Sequence, residues 1–438
     1  MRSNTSLPIL LALVLTISSC EMLEPELDNH STLDRVYKDP AYAEGLLLKA
    51  YSLIPTNDYL YDEVATDDAV TNDRLSSFLR MATGEWSATY NPENLWEDCN
   101  EAILYINQFL TVVEEVEWKW TNPELNDLYI RRLKGESLAL RGMFKYFLMR
   151  NHAGYGTGGE LLGIPIYNEF IEDQEDFAKP RASFAESLSS AYADLDEALN
   201  YLPLDYGDAG DLDDLPPGFD GISDEDFYND VFGDFTQQRM SGRHAMAMKA
   251  RLALPAASPA FNPDNNPALW ENAANLTAEL LDDIGGLGGL DENGHKFYLK
   301  GQVNAADITS GDRTDLAEIL WRRPIYSNRE REQNNFPPSL YGDGRINPTQ
   351  NLVDAFPMAN GLPIGNPASG YDENDPYANR DPRLSLYIVY DGSTMKGETI
   401  HTGPGTGDNG LDQVQNSTRT GYYLKKLLRE DVNVNPSS

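Results

Sequence analysis

The chain has 438 residues, with 70 acidic against 34 basic side chains and a formal charge of −36. A field of that sign repels nucleic acid and anionic membrane surfaces, which excludes both as partners. Two cysteines make no disulfide framework, and no apolar run reaches the roughly eighteen residues of a membrane-spanning helix.

Met1-Arg2 gives a short positive start, and an apolar run follows from Leu7 to Ile17. As a helix that run spans about 16 Å, half of a hydrocarbon core of ~30 Å, so it reads as a secretory signal over 1–19. Ile17-Ser18-Ser19-Cys20 resembles a bacterial lipobox. Cys20 is therefore expected to carry lipid and to become the first mature residue, with a pairing to Cys99 as the competing reading. One acyl chain anchors a protein only marginally, so stable attachment takes more than one. Cys99 then becomes a lone thiol, expected to be buried and inert. Residues 20–38 are polar and acidic and read as a tether, leaving the lipid as the only attachment to a membrane.

Residues 39–284 read as a helical scaffold. Asp39-Pro40 opens a helix with Ala43, Leu46, Leu47, Ala50 and Leu53 on one face, and a second runs from about Glu93 to Val116. The longest covers about Pro123 to Asn151, with Leu133, Leu140, Phe144 and Phe147 on its apolar face. Gly135, Ala139 and Gly142 form an adjacent stripe of small residues. Each interior glycine costs about 1 kcal/mol relative to alanine, so close approach of a neighbouring helix is expected there. Ser183-Phe184-Ala185-Glu186 is a capping box for a helix to Leu202. Ser241-Gly242 opens an alanine-rich helix that Pro255 should end or kink, and Pro267 begins another running to Ile284. Helix pairs of this length suggest a tetratricopeptide-like array.

Within that scaffold, 205–235 reads as an acidic loop insertion, since no Lys or Arg occurs between Arg181 and Arg239. Its aspartates (Asp211, Asp213, Asp214, Asp224, Asp226) invite calcium, but the EF-hand spacing is absent and a solvated loop is the simpler account. From Gly285 to Ser438 helical periods fade, and Gly, Pro, Asn and Asp crowd the chain. Loops, short strands such as "LSLYIVY" (384–390) and one or two helices are expected.

No His-Glu-x-x-His, Cys-x-x-Cys or Gly-x-Ser-x-Gly occurs, so zinc hydrolysis and an α/β-hydrolase nucleophile have no support, and no cofactor is expected. "GYGTGG" (154–159) and Gly405-Gly407-Gly410 match a dinucleotide spacing, but neither sits between a strand and a helix. Helix termination accounts better for Gly154.

Several ordered stretches resemble one family, the SusD/RagB outer-membrane nutrient-binding lipoproteins. They include "GESLALRGMFKYFLMRNHAGYG", "RASFAESLSSAYADLDEALNYLP", "GRHAMAMKARLALPAASPAFNP", "NPTQNLVDAFPMANGLPI", "YDENDPYANRDPRLSLYIVYDGS" and "TGYYLKKL". The resemblance implies a mainly α fold with tetratricopeptide-like helix pairs and a loop-rich, irregular second half. It also implies a lipid-anchored place on the outer membrane, facing the cell surface. There the protein would capture oligosaccharide as the lid of a SusC-like TonB-dependent transporter, without catalysis. Such proteins generally continue a helix where Pro255 lies, and continue past "EDVNVNPSS" into a further helix. The second half is therefore expected to be incomplete and the chain less stable than a full-length relative. A helical glycoside hydrolase and a structural or adhesion lipoprotein are the alternatives.

Framework motifs are expected to hold the scaffold. Asp354-Ala355-Phe356-Pro357 should end a short helix, and Arg380 and Arg383 flanking Pro382 can each fork onto a carboxylate. Ligand candidates come from elsewhere. "ATDDAVTNDR" (65–74) resembles the segment that approaches ligand in related proteins, which implies Asp68, Asn72 and Arg74 as hydrogen-bonding residues. Trp86 is the candidate platform for a sugar face, with a core place under a loop as the competing reading. Tyr326, Phe336 and Tyr341 add aromatic candidates, whereas Trp96, on a helix, reads as core.

Overall fold

The computed structural model describes residues 38–55, 61–87, 89–118, 120–306, 316–322 and 328–437. Cys20 and Tyr326 lie outside the described residues. Asp39 caps α1 (Pro40–Ser52) by accepting the Ala41 N–H at 2.9 Å, and Ala43, Leu46, Leu47 and Ala50 form its buried face. A short strand β1 (Ala69–Thr71) follows, then α2 (Ser77–Arg80), which widens into a looser turn over Met81–Glu85. Next come α3 (Trp96–Val112) and the 30-residue α4 (Pro123–His152). At 1.5 Å per residue α4 is about 45 Å long, and it is buried almost continuously from Gly135 to Met149.

The glycine stripe on α4 has the structural reason expected of it. A Cβ at Gly135 would stand 2.6 Å from the Leu202 Cγ, and one at Gly142 would stand 2.6 Å from the Leu195 Cγ. Both leucines come from the neighbouring α5 (Phe184–Tyr201) and its end, which begins at the Ser183–Glu186 capping box. Successive packing then runs α1 on α3, α3 on α4, α4 on α5, and both α4 and α5 on α7 (Gly242–Ala257), which carries α8 (Pro267–Asp283). Within this tetratricopeptide-like array α1, α3, α4, α5 and α7 share one large core containing Cys99, Ile106, Phe109, Leu140 and Phe144, and α8 joins α7 through a separate small cluster of Ala253, Ala257 and Ala273. Burial pushes the Cys99 thiol up to about 12, which keeps it protonated and unreactive.

Two local expectations are corrected. Pro255 does not stop α7 at once: the helix runs to Ala257 and ends two residues beyond the proline, whose missing N–H removes one bond near the terminus. The acidic stretch 205–235 is more than a solvated loop. It contains α6 (Glu225–Phe232), which packs on α4 and buries Phe219, Tyr228, Val231 and Phe232 while its acids stay outside. Arg131 of α4 stacks on the Phe219 ring at 3.8 Å, a cation–π contact that helps hold the segment down. Among the described residues no group of three or more His, Cys, Asp or Glu side chains could hold a metal ion.

Buried charges tie α4 to α5. Asp194 accepts from Arg141 Nε at 2.9 Å, Arg141 Nη2 at 2.5 Å and Lys145 Nζ at 2.6 Å. Asn107 and Asn168 accept further donors of the two cations, and the Ser190 hydroxyl accepts Lys145 Nζ at 2.8 Å. Desolvation pushes Lys145 down to about 8, with Asp194 opposing the shift.

The second half is built from short pairings. β1 pairs with β4 (Ile346–Pro348), β5 (Ile388–Val389) with β8 (Tyr423–Leu424), and β6 (Ser393–Met395) with β7 (Glu398–Ile400). "GYGTGG" lies in a hairpin of β2 (Gly154–Tyr155) with β3 (Leu161–Leu162), just past the end of α4. "LSLYIVY" is not one strand. Asp381 caps a helix over Pro382–Tyr387 with Pro382 in its first turn, and only Ile388 and Val389 are extended. Residues 350–355 form the short helix that ends before Pro357. Arg383 forks onto Asp381 through Nε at 2.9 Å and Nη2 at 2.6 Å. Arg380 does otherwise: it donates to the carbonyls of Val353, Phe356 and Pro376 at 2.6, 2.7 and 2.9 Å. Those carbonyls end the 350–355 helix and the loop beside it, so Arg380 satisfies backbone acceptors where a carboxylate was expected.

Candidate ligand-binding site

The β1–β4 pair joins the two halves of the chain and positions the candidate site. Val70 faces Asn347 and Thr71 faces Ile346 in an antiparallel register. Beyond the last pair the Asn72 N–H donates to the Arg345 carbonyl at 3.3 Å. The Asn72 side chain extends the contact, its Nδ2 donating to the carbonyls of Asp343 at 2.9 Å and Gly344 at 3.0 Å. At the other end Thr349 donates its N–H to the Asp68 carbonyl at 2.8 Å. The 415–419 loop is brought in by Asn347, whose Oδ1 accepts the Arg419 N–H at 2.9 Å.

These three segments enclose a polar cleft of about 560 Å³. Asn72, Asp73, Arg74 and Leu75 line one side; Asp343 and Arg345 come from the second segment, and Gln415, Asn416 and Arg419 from the third. Asp73 accepts Arg345 Nη1 at 2.5 Å, and Asp343 accepts Asn416 Nδ2 at 3.0 Å. The cleft thus offers fixed guanidinium and amide donors with carboxylate acceptors between them, the equipment for reading hydroxyl and anionic groups.

The sequence-derived candidates divide. Asn72 and Arg74 line the cleft. Asp68 is exposed but lies at the far end of β1, outside the cleft lining. Trp86 is 59% exposed at the end of the turn that follows α2, so the core reading for it is overturned. Tyr341 is 58% exposed two residues before Asp343. Phe336 must be withdrawn: it is fully buried, packed in a cluster with Leu340, Val389, Met395 and Tyr423. A ring that closes a small core has no face left for a sugar. Trp96 is corrected in the opposite sense, being 38% exposed. It stands edge-on to His152 and lines a second, smaller cavity of about 290 Å³ with Tyr167 and Phe177.

Asp73, Asp343, Arg345, Asn416 and Arg419 escaped sequence reasoning. Their partners lie up to 272 positions away, and no local spacing marks such a meeting.

Two family models match the chain, the SusD family over residues 319–438 and a family described as starch-binding, associating with the outer membrane, over 17–210. The chain belongs to the SusD/RagB family. Solved structures share its fold. A SusD-like protein from Bacteroides fragilis is 21% identical, with 91% of this chain and 70% of that one covered and a TM-score of 0.60. A SusD-like carbohydrate-binding protein from the same organism is 18% identical, with the same coverage and a TM-score of 0.60. A SusD superfamily protein from Bacteroides vulgatus is 16% identical, covering 89% of this chain and 68% of that one, with a TM-score of 0.52. Among curated proteins no sequence matches this chain. The SusD/RagB assignment accounts for a mainly helical scaffold carrying an irregular, loop-rich half.

Proposed function

We propose that this protein captures oligosaccharide at the cell surface, without catalysis, and works as the lid of a SusC-like TonB-dependent transporter in the outer membrane. In this reading residues 1–19 are a signal, Cys20 carries the lipid, 20–38 form the tether, 39–284 the scaffold and 285–438 the loop-rich part. The observation that carries it is the polar cleft where Asn72 and Arg74 meet Asp343, Arg345 and Arg419, on a SusD-family fold. Exposed Trp86 and Tyr341 supply rings that can lie against the C–H faces of a sugar. Among the described residues no helix is long and apolar enough to cross a membrane, which suits attachment through lipid.

The test is equilibrium binding to a panel of polysaccharides, run beside an assay for released reducing sugar. Binding without release, weakened by Trp86→Ala at unchanged melting temperature, supports capture. Release of sugar abolished by a carboxylate substitution would replace it with a hydrolase. Co-purification of the full chain with a large outer-membrane barrel supports the lid; its absence from detergent extracts of the native membrane counts against it.

A further inference from the structure

We propose that the oligosaccharide held in this cleft is anionic, with a carboxylate or sulfate group taken by the Arg74 guanidinium; the inference rests on the reading of the cleft as the glycan site. The chain carries about twice as many acids as bases, yet three arginines converge on this one cleft. What decides the matter is which charges there are already neutralised.

Asp73 is held twice. Its Oδ2 accepts Arg345 Nη1 at 2.5 Å, and its Oδ1 accepts the Leu75 N–H at 3.0 Å. Asp343 receives Asn416 Nδ2 at 3.0 Å, and its other oxygen lies 3.6 Å from Arg345 Nη2. Arg419 is also occupied, donating Nη1 to Asp412 at 2.9 Å and Nη2 to the Gln415 carbonyl at 2.8 Å. Each carboxylate at the cleft therefore has a cationic or amide partner, and two of the three arginines have an acid.

Arg74 differs from both. It is exposed, it lines the cleft, and it has no hydrogen-bond or ion-pair partner among the described residues. Its neighbour Asp73 faces Arg345, and Asn72 is committed to the 343–344 carbonyls, so the flanking residues hold its backbone in place without consuming its donors. A guanidinium presents paired N–H groups in one plane, which matches two oxygens of a carboxylate or sulfate and does so more strongly than single hydroxyls. The ordered Arg345–Asp73 pair beside it leaves the site polar and pre-organised, so little ordering opposes binding.

Titration calorimetry on the full-length protein in detergent tests this with three probes of matched length. They are an oligogalacturonate, its carboxyl-reduced neutral counterpart, and a sulfated galactan oligosaccharide. We expect at least one charged probe to bind about tenfold or more tighter than the neutral one. Whichever charged probe is preferred identifies the group. Arg74→Gln should erase that preference and leave the melting temperature unchanged, because the side chain supports nothing else. Equal or tighter binding of the neutral probe overturns the inference while glycan capture itself stands. A charge preference that survives in Arg74→Gln also overturns it. Failure of all three probes together with the neutral polysaccharide panel would remove both readings.

Discussion

Gly142 of α4 lies so close to Leu195 of α5 that an added Cβ would meet the Leu195 Cγ at 2.6 Å and its Cδ2 at 2.7 Å. Leu195 is fully buried, so it has no free direction in which to retreat. Two effects oppose each other in Gly142→Ala. Helix propensity favours alanine by about 1 kcal/mol, and overpacking a tight core costs about 1–3 kcal/mol. Overpacking should win, lowering stability by about 1–2 kcal/mol. Gly45 in α1 is the control, since nothing stands within 4 Å of its added Cβ. Gly45→Ala should therefore stabilise by about 0.5–1 kcal/mol. Urea midpoints of the two variants, at unchanged slope, check the opposite signs; stabilisation by both would mean α5 can shift away from α4.

The Arg141–Asp194–Lys145 cluster makes a second prediction at the same helix pair. Asp194→Ala leaves two buried cations facing each other, and breaking a buried ion pair in this way costs about 3–5 kcal/mol. Lys145→Met alone keeps the Arg141–Asp194 fork and should be milder. The double variant Asp194→Ala with Lys145→Met should recover part of the loss, because the lysine no longer needs a counter-charge. Denaturant unfolding of the four proteins as a double-mutant cycle measures the coupling. Strict additivity would show that Lys145 and Asp194 do not act together.

These helix contacts were legible in the sequence because helical periodicity is a local signal. Leu133, Leu140 and Phe144 mark the apolar face, Gly135 and Gly142 mark a close approach, and Ser183 with Glu186 marks a start. The cleft was half legible. The 65–74 segment pointed to Asn72 and Arg74, but Arg345 reaches them through strand pairing across some 270 residues and Arg419 through the Asn347 side chain, and no spacing encodes either meeting. The aromatic residues were the least readable. Phe336, flanked by Asn335 and Pro337, looks like a loop residue yet closes a small core against Met395 and Tyr423. Trp96 sits on an apolar-periodic helix yet is partly exposed, because it is the first residue of α3 and borders an open cavity with only His152 edge-on against it. Local composition says how apolar a segment is and not which distant segment covers it.

His244 confers acid sensitivity on the start of α7. Its Nδ1 accepts the Ser241 N–H at 2.9 Å, and its Nε2 lies 2.8 Å from the Leu320 carbonyl, so the neutral ring with its proton on Nε2 satisfies both. Protonating Nδ1 would remove the acceptor that caps the helix. Burial is the main reason that the imidazole is pushed down to about 4 from an ordinary value of 6.5. Between those values the unfolded chain binds a proton that the folded chain refuses. The contribution is therefore intact above pH 6.5 and is lost as pH falls toward 4, reaching about 3 kcal/mol at most. His244→Gln keeps an acceptor without a titrating ring. Thermal unfolding from pH 7 to 4 should show a smaller loss in the variant than in the parent; parallel curves would show that the ring does not govern the transition.

The lipid anchor proposed at Cys20 can be separated from the fold, because the cysteine precedes α1 by a polar tether and Cys99 is buried in the helical core. Labelled palmitate fed to expressing cells should enter the parent protein and be absent from Cys20→Ser, while Cys99→Ser retains full labelling. Cys20→Ser, with 1–19 replaced by a signal that is cleaved without lipidation, should also move from the membrane fraction to the soluble fraction, since no acyl chain then anchors it. Its melting temperature should stay that of the parent. Cys99→Ser should instead lower stability by about 1–3 kcal/mol, because a hydroxyl at this fully buried position in the apolar core is desolvated without an assured partner. Palmitate labelling that persists in Cys20→Ser would move the attachment elsewhere and remove the lipobox reading. Equal membrane association of parent and Cys20→Ser would show that the lipid is not what holds the protein there.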